Sequence, residues 1–251
     1  MSSMAEDVYP VEQNQLDRAG WIGAPFMQVK VATESIIALA MLVIASPIIL
    51  LVMFLVRVTS RGPVFYTQER VGWNGRCFTI YKIRTMKLDS EPNGPKWCVP
   101  GDPRVTLLGR FLRLSHLDEL PQLVNILQGD MALIGPRPER PEIVARLERV
   151  FPDYQRRHLV RPGLTGLAQV LQAPDTDLAS VHSKLRYDLY YLDHRNFWLD
   201  LRILLATVLR VLAVPTSLIA LLFQLGDLSK GNLNEAAAHE TSFVSALPAR
   251  Q

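Results

Sequence analysis

An uncharged apolar run from Ile36 to Val56, interrupted near its centre by Ser46-Pro47, restricts this chain more than any other feature. A helix of about 20 apolar residues crosses a hydrocarbon core, so the run is long enough to cross once. It is not a cleavable signal peptide. It starts far from the N-terminus, lacks a small-residue cleavage pattern, and follows a polar leader holding Glu6, Asp7, Glu12 and Asp17. A proline inside a helix lacks an N–H and clashes with the carbonyl four residues back, here Val43, at about 3 kcal/mol. Lipid offers that carbonyl no donor, whereas the Ser46 hydroxyl is placed to bond a carbonyl of the preceding turn. Two geometries answer these demands: a sharp break at Ser46 and Pro47 that returns the chain to the side it entered, or a kinked helix that crosses. Lys30 precedes the run and Arg57, Arg61 and Arg70 follow it. Basic flanks on both sides choose no crossing direction and fit the re-entrant segment better.

The remainder is expected to be mostly α with a small β-hairpin element. Residues 1–28 read as a polar arm, 29–57 as the membrane helix-break-helix, 58–225 as the folded domain, and 226–251 as a disordered tail. Phe65 to Thr85 mixes β-branched and aromatic residues around Trp73-Asn74-Gly75, which predicts a hairpin. Residues 89–103 are rich in proline and glycine and read as a loop. Helical patterns follow over Leu107–Arg113, Leu120–Leu127, Pro141–Val150 and Leu178–His194. Leu199 to Leu212 reads either as an amphipathic helix in the membrane interface or as a core helix. A short apolar stretch to Leu225 could share that interface.

A net charge of +3 is too small to argue for nucleic acid, and no basic stripe with interleaved aromatics is present. Mild basicity suits anionic headgroups or phosphates. Cys77 and Cys98 form no C-x-x-C pair and have no zinc-ligand spacing, so they read as ordinary thiols.

The chemistry concentrates between Asp102 and Arg140. Ser115 and Asp118 have capping-box spacing, and Pro121 suits a first helical turn, which would put Asp118 and Glu119 at a helix N-terminus. Adjacent carboxylates there could divide two tasks, attack on phosphorus and hold on a divalent metal. They could equally do no more than neutralise a helix start. The arginines add weight to the first reading. Arg113 lies five residues earlier, Arg137 is clamped between Pro136 and Pro138, and Arg161 opens a Pro-Gly turn. Rigidly held guanidinium groups suit fork-like binding of phosphate oxygens. Two carboxylates and several fixed arginines near a membrane point to phosphoryl transfer to or from a lipid.

Ordered motifs extend the reading. S-P-I-I-L (Ser46–Leu50), G-P-V-F-Y-T-Q-E-R-V-G (Gly62–Gly72), F-T-I-Y-K-I-R-T-M (Phe78–Met86) and D-P-R-V-T-L-L-G-R-F-L-R (Asp102–Arg113) lead the series. L-D-E-L-P-Q-L, G-P-R-P-E, R-P-G-L-T-G-L-A-Q-V (Arg161–Val170) and D-L-Y-Y-L (Asp188–Leu192) complete it. Together they resemble the bacterial sugar transferases, the monotopic polyprenyl-phosphate phosphoglycosyl transferases, from about Val29 to Leu212, in the family's small form. The resemblance implies a catalytic Asp118–Glu119 dyad working by a ping-pong mechanism. The aspartate takes a sugar phosphate from a UDP-sugar, releasing UMP, and passes it to undecaprenyl phosphate. It further implies Mg2+ with Glu119 as ligand, and Arg113 and Arg137 beside the dyad. The helix broken at Ser46-Pro47 would make a hairpin, and the catalytic domain would lie on the cytoplasmic face of the bacterial inner membrane. Such an enzyme starts exopolysaccharide, capsule, O-antigen or glycoprotein glycan assembly. Its partners would be the bilayer, and a second copy of itself or downstream glycosyltransferases. One departure stands out. After A-Q-V the family continues N-G-R-N, whereas this chain reads Leu171-Gln172-Ala173-Pro174. The arginine expected there is missing: either another cation, such as Arg161 or Arg186, substitutes, or donor binding is altered. Two rivals remain: a glycosyltransferase releasing UDP, for which Asp175-Thr176-Asp177 has the D-x-D spacing but lies in a loop after Pro174, and a non-enzymatic membrane scaffold.

Overall fold

The computed structural model describes residues 24–88, 90, 101–175 and 177–225, with side chains from residue 28. The expected N-terminal arm, the C-terminal tail and most of the 89–103 loop lie outside the described residues, as do Cys98 and Thr176.

The apolar run and its flanks form α1 (Ala24–Thr59), 36 residues with Pro47 inside. The break expected at Ser46-Pro47 does not divide it into two elements. The local chemistry is nonetheless the expected one: Ser46 Oγ donates at 2.8 Å to the Val43 carbonyl, which Pro47 leaves without its donor. Among the described residues α1 is the one helix long and apolar enough to cross a membrane. It touches the rest of the protein on both sides of Pro47, with Ile37 and Leu42 packed against the main core. Ala38 enters the main core, and Val52 and Val56 pack with Ile83 and Leu112. No residue from 39 to 51 is buried.

β1 (Phe65–Val71) and β2 (Cys77–Ile83) form the expected antiparallel hairpin, in register from Phe65 opposite Ile83 to Val71 opposite Cys77. Asn74 at φ 54° and Gly75 at φ 75° take the left-handed turn, which few other residues tolerate. After α2 (Leu107–Leu114) and a 3-10 turn (Leu117–Glu119) comes α3 (Gln122–Gln128). β3 (Ala132–Ile134) then pairs in parallel with β4 (Gly163–Thr165), between which lie α4 (Pro141–Leu147) and a 3-10 turn (Tyr154–Leu159). α4 stops short of the expected Val150. The last described elements are α5 (Leu167–Leu171), α6 (Leu178–His194), α7 (Phe197–Val211) and α8 (Thr216–Leu222).

The β3–β4 pair is invisible to a search for alternation, because three residues are too few to show a period of two. Its glycines are required by contact: a Cβ on Gly163 would lie 2.1 Å from the Gly135 nitrogen. The main core gathers Leu123 and Ile126 of α3, Leu133 and Ile134 of β3, Tyr191 of α6 and Ile203 of α7. α7 has one face in the core and one outside it. Leu199, Ile203 and Ala206 face the core, while Trp198, Leu205, Val208 and Leu212 are exposed.

Candidate active site

Asp118 and Glu119 close the 3-10 turn between α2 and α3, after His116, which reverses the chain at φ 56°. The capping box expected of Ser115 is absent. α2 runs as far as Leu114, so Ser115 ends it, and Ser115 Oγ donates back to the Phe111 carbonyl at 2.9 Å. The dyad still lies just ahead of a helix start, since Pro121 is the residue at the N-terminal edge of α3.

Asn125 fastens α3 to the hairpin. Its Nδ2 donates to the Thr79 carbonyl at 2.7 Å and its Oδ1 accepts from the Tyr81 N–H at 3.2 Å. The buried amide thus answers an edge of β2 that no strand covers. The next residue of β2, Lys82, is thereby set against the dyad: its Nζ donates to Glu119 Oε1 at 2.8 Å. From the other side comes Arg137, on the loop after β3, with Nη1 donating to Glu119 Oε2 at 3.2 Å and Nη2 donating to Oε1.

Arg137 is held by more than its two prolines. Its carbonyl accepts from Arg157 Nη2 at 2.8 Å, and the Pro138 carbonyl accepts from Arg70 Nη1 at 3.0 Å. Arg157 is itself buried in a 2.7 Å ion pair with Asp188 of α6. Two residues on, Glu139 pairs with Lys184, which also donates to Asp175 Oδ2 at 2.7 Å. Arg113 approaches the dyad from α2, its Nε donating to Thr85 Oγ1 at 2.8 Å.

The two carboxylates differ sharply. Asp118 is 7% exposed and has no hydrogen bond or ion pair among the described residues. Burial, and then the adjacent Glu119 charge, push its pKa up to about 6, against the pull of Lys82, Arg113 and Arg137. Burial pushes Glu119 upward too, but there Arg137 and Lys82 win and hold it well below the ordinary carboxylate range. Burial lowers the Lys82 ammonium, opposed by Glu119. Despite burial, Lys184, Arg157 and Arg70 hold Glu139 at about 2.

Asp118, Glu119, Arg113 and Arg137 line one open cleft of about 1890 Å³. Arg161 does not line it and instead lies over the Trp73 ring at 5.4 Å. The divergent segment does reach the cleft, through Ala173, Pro174 and Asp175. Among the described residues no three histidine, cysteine or acidic side chains group as a metal cluster. Sequence reasoning missed Lys82, Asn125, Arg157 and Lys184. Lys82 left one trace, a cation in a strand otherwise apolar, aromatic or hydroxylic. The others act across long separations in the chain, which no local pattern records.

Residues 26–214 match the family described as bacterial sugar transferase. The chain is 42% identical, over 66% of its length, to a UDP-N-acetylgalactosamine-undecaprenyl-phosphate N-acetylgalactosaminephosphotransferase of Aeromonas hydrophila, covering 40% of that protein. It is 36% identical, over 84% of its length, to a UDP-glucose:undecaprenyl-phosphate glucose-1-phosphate transferase of Xanthomonas campestris pv. campestris, covering 43% of it. An exopolysaccharide production protein of Rhizobium leguminosarum bv. phaseoli is 38% identical over 68% of this chain and 88% of its own length. The chain thus spans about two fifths of the first two relatives and most of the third. The dyad, its cations and the order of motifs around them fall within the matched region, and the chain belongs to the bacterial sugar transferase family.

Proposed function

We propose that the protein is a phosphoglycosyl transferase that moves a sugar-1-phosphate from a UDP-sugar to undecaprenyl phosphate. The observation that carries this reading is the unpartnered Asp118 beside a Glu119 neutralised by Lys82 and Arg137. A carboxylate with a pKa of about 6 is ionised at neutral pH, and with no partner to turn away it is free to attack. In the first step an Asp118 oxygen bonds to the β-phosphorus, the β-phosphorus–bridging-oxygen bond breaks, and UMP leaves. In the second step an oxygen of undecaprenyl phosphate bonds to the same phosphorus. Asp118 departs as carboxylate, and the product is undecaprenyl-diphospho-sugar. Arg113 and Arg137 line the cleft where phosphate oxygens would gather charge.

Mg2+ takes one or two carboxylates together with substrate phosphates and waters, so a lone dyad fits its needs. Glu119 would hold it, giving up an oxygen now shared with Lys82 or Arg137. When bound, the ion would offset charge on the phosphates.

We further read α1 as re-entrant, with the catalytic body on the cytoplasmic face of the inner membrane and the exposed apolar faces of α7 and α8 in its interface. The contacts of α1 with one body on both sides of Pro47 support this, because a body on one side of a bilayer cannot reach both halves of a crossing segment.

The test is a panel of UDP-sugars with purified protein and undecaprenyl phosphate, following nucleotide release. UMP release, with label from the sugar phosphate left on the peptide containing Asp118, is the expected result. UDP release would favour a glycosyltransferase, and no release with any donor would leave a scaffold.

A further inference from the structure

Arg84 lies just past the end of β2, is 7% exposed, and lines the same cleft as the dyad. Its Nη2 donates to the carbonyl and hydroxyl of Ser60 at 3.2 and 3.1 Å. Its Nε and Nη1 are buried without a partner, and no carboxylate pairs with it among the described residues. A buried guanidinium with two unanswered N–H groups is unfavourable unless an anion completes it. Arg84 has no part in the mechanism derived above.

Its place in the cleft narrows the choice of anion. Lys82 and Arg84 are two residues apart on one strand path, so they project on the same side, about 6.6 Å apart along the chain. Lys82 ends on Glu119, whereas Arg84 ends on Ser60, the residue that follows α1. Arg84 therefore stands one strand repeat from the dyad, toward the apolar helix. Thr85, between them and α2, holds Arg113. Gly62, at φ 103°, leaves the room this arrangement needs: a Cβ there would lie 2.6 Å from Arg84 Nη1 and 3.0 Å from Leu88 Cδ1. Pro63 and Leu88 give this end of the cleft an apolar wall.

We propose that Arg84 binds a phosphate oxygen of the prenyl acceptor at the helix end of the cleft. The inference rests on the phosphoglycosyl transferase reading for the acceptor's identity. A lipid phosphate reaches the cleft from the side of α1, and its first prenyl carbons would meet Pro63 and Leu88. The diphosphate of the soluble donor offers the same chemistry, so the test must separate the two sources.

Thermal unfolding of the full-length protein in detergent, with geranylgeranyl phosphate, geranylgeraniol or UDP, makes that separation. In the wild type the prenyl phosphate should raise Tm more than the alcohol does. Arg84→Gln should lose most of that difference while keeping the UDP shift. In turnover, Arg84→Gln should raise the acceptor KM by about tenfold or more, the size of a lost charge-assisted bond, and the donor KM by less than threefold. A phosphate-dependent shift that survives in Arg84→Gln overturns the proposal, as does loss of the UDP shift in its place. If Arg84→Gln does not fold, Arg84→Lys keeps the charge but not the fork. A wild-type acceptor KM and wild-type lipid shift in that variant also overturn it. Absence of UMP release by the wild type would remove the phosphoglycosyl transferase reading, and the lipid-phosphate shift would still judge Arg84.

Discussion

Asp118 and Glu119 are neighbours in one turn, yet the fold gives them opposite surroundings. Glu119 receives a lysine and an arginine, and Asp118 receives burial and the charge of Glu119. The result is a carboxylate whose ionised form the folded protein disfavours. The sign follows from linkage. The folded pKa of about 6 exceeds the unfolded value near 3.8, so the folded state binds this proton more tightly. Stability from this group is greatest below the unfolded value and declines as pH rises through 6. Asp118→Asn should therefore raise stability at pH 8 by about 1–3 kcal/mol, and by less at pH 5, while abolishing turnover. Thermal unfolding at the two pH values checks the first part. A stability loss at pH 8 would show that Asp118 is a structural anion. Wild-type formation of the labelled enzyme should rise with pH through about 6, as the carboxylate ionises. At this scale the dyad and Arg137 were legible, because the two prolines and the paired acids are local. The partner that polarises the pair was not, since Lys82 lies 37 residues from Glu119 and only the Asn125 clasp sets it there.

At the scale of elements, the join between α1 and the catalytic body is a buried charge cluster. Lys30 Nζ donates to Glu34 Oε1 at 2.7 Å and to Asp200 Oδ2 at 2.5 Å. Glu34 Oε2 accepts from the Leu133 N–H of β3 at 3.2 Å, and Tyr191 OH donates to Asp200 Oδ1 at 2.8 Å. The cluster thus ties α1, β3, α6 and α7 together. Lys30→Met would leave two largely buried carboxylates facing each other, at about 3–5 kcal/mol. We expect a correspondingly lower Tm in detergent, and partial recovery when Glu34→Gln and Asp200→Asn are added. A Lys30→Met protein as stable as wild type would mean that the cluster adds nothing. The sequence signals Lys30 only as a basic flank, because its partner Asp200 and the Leu133 N–H that holds Glu34 lie far along the chain. The β1–β2 hairpin and α6 were legible from Trp73-Asn74-Gly75 and from a 17-residue helical pattern. The capping role assigned to Ser115 failed because α2 extends one residue past Arg113 and takes that serine for its own end.

For the whole molecule, the question is on which side of a bilayer the two ends of α1 lie. Toward one end, Lys30, Glu34 and Ala38 join the body through the cluster and the main core, on which Leu42 also packs. Near the other, Val52 and Val56 pack on Ile83 and Leu112, and Ser60 holds Arg84. Between them the exposed surface is apolar, including Val43, Ile44, Ile48 and Leu51. That middle must be covered by lipid or by another apolar surface, while both ends stay with a body rich in charge. The re-entrant course proposed for α1 satisfies these demands, with its bend at Ser46-Pro47. Single cysteines replacing the exposed residues Gln28 and Arg61, in a background without Cys77 and Cys98, should both resist a membrane-impermeant thiol reagent in intact cells. Both should react once the cells are permeabilised. Pro47→Ala returns an N–H to the Val43 carbonyl and favours a straight helix, and its apolar run is long enough to cross at about 1.5 Å per residue. We expect that variant to show part of its Gln28 position labelled from outside. The displaced fraction should also be inactive, since crossing would pull Lys30 from Asp200 and shift Asp118 from the depth of the lipid phosphate. Labelling of Gln28 in intact cells of the unaltered background would mean that α1 crosses, and that the cluster at Lys30 must form without a bend at Pro47.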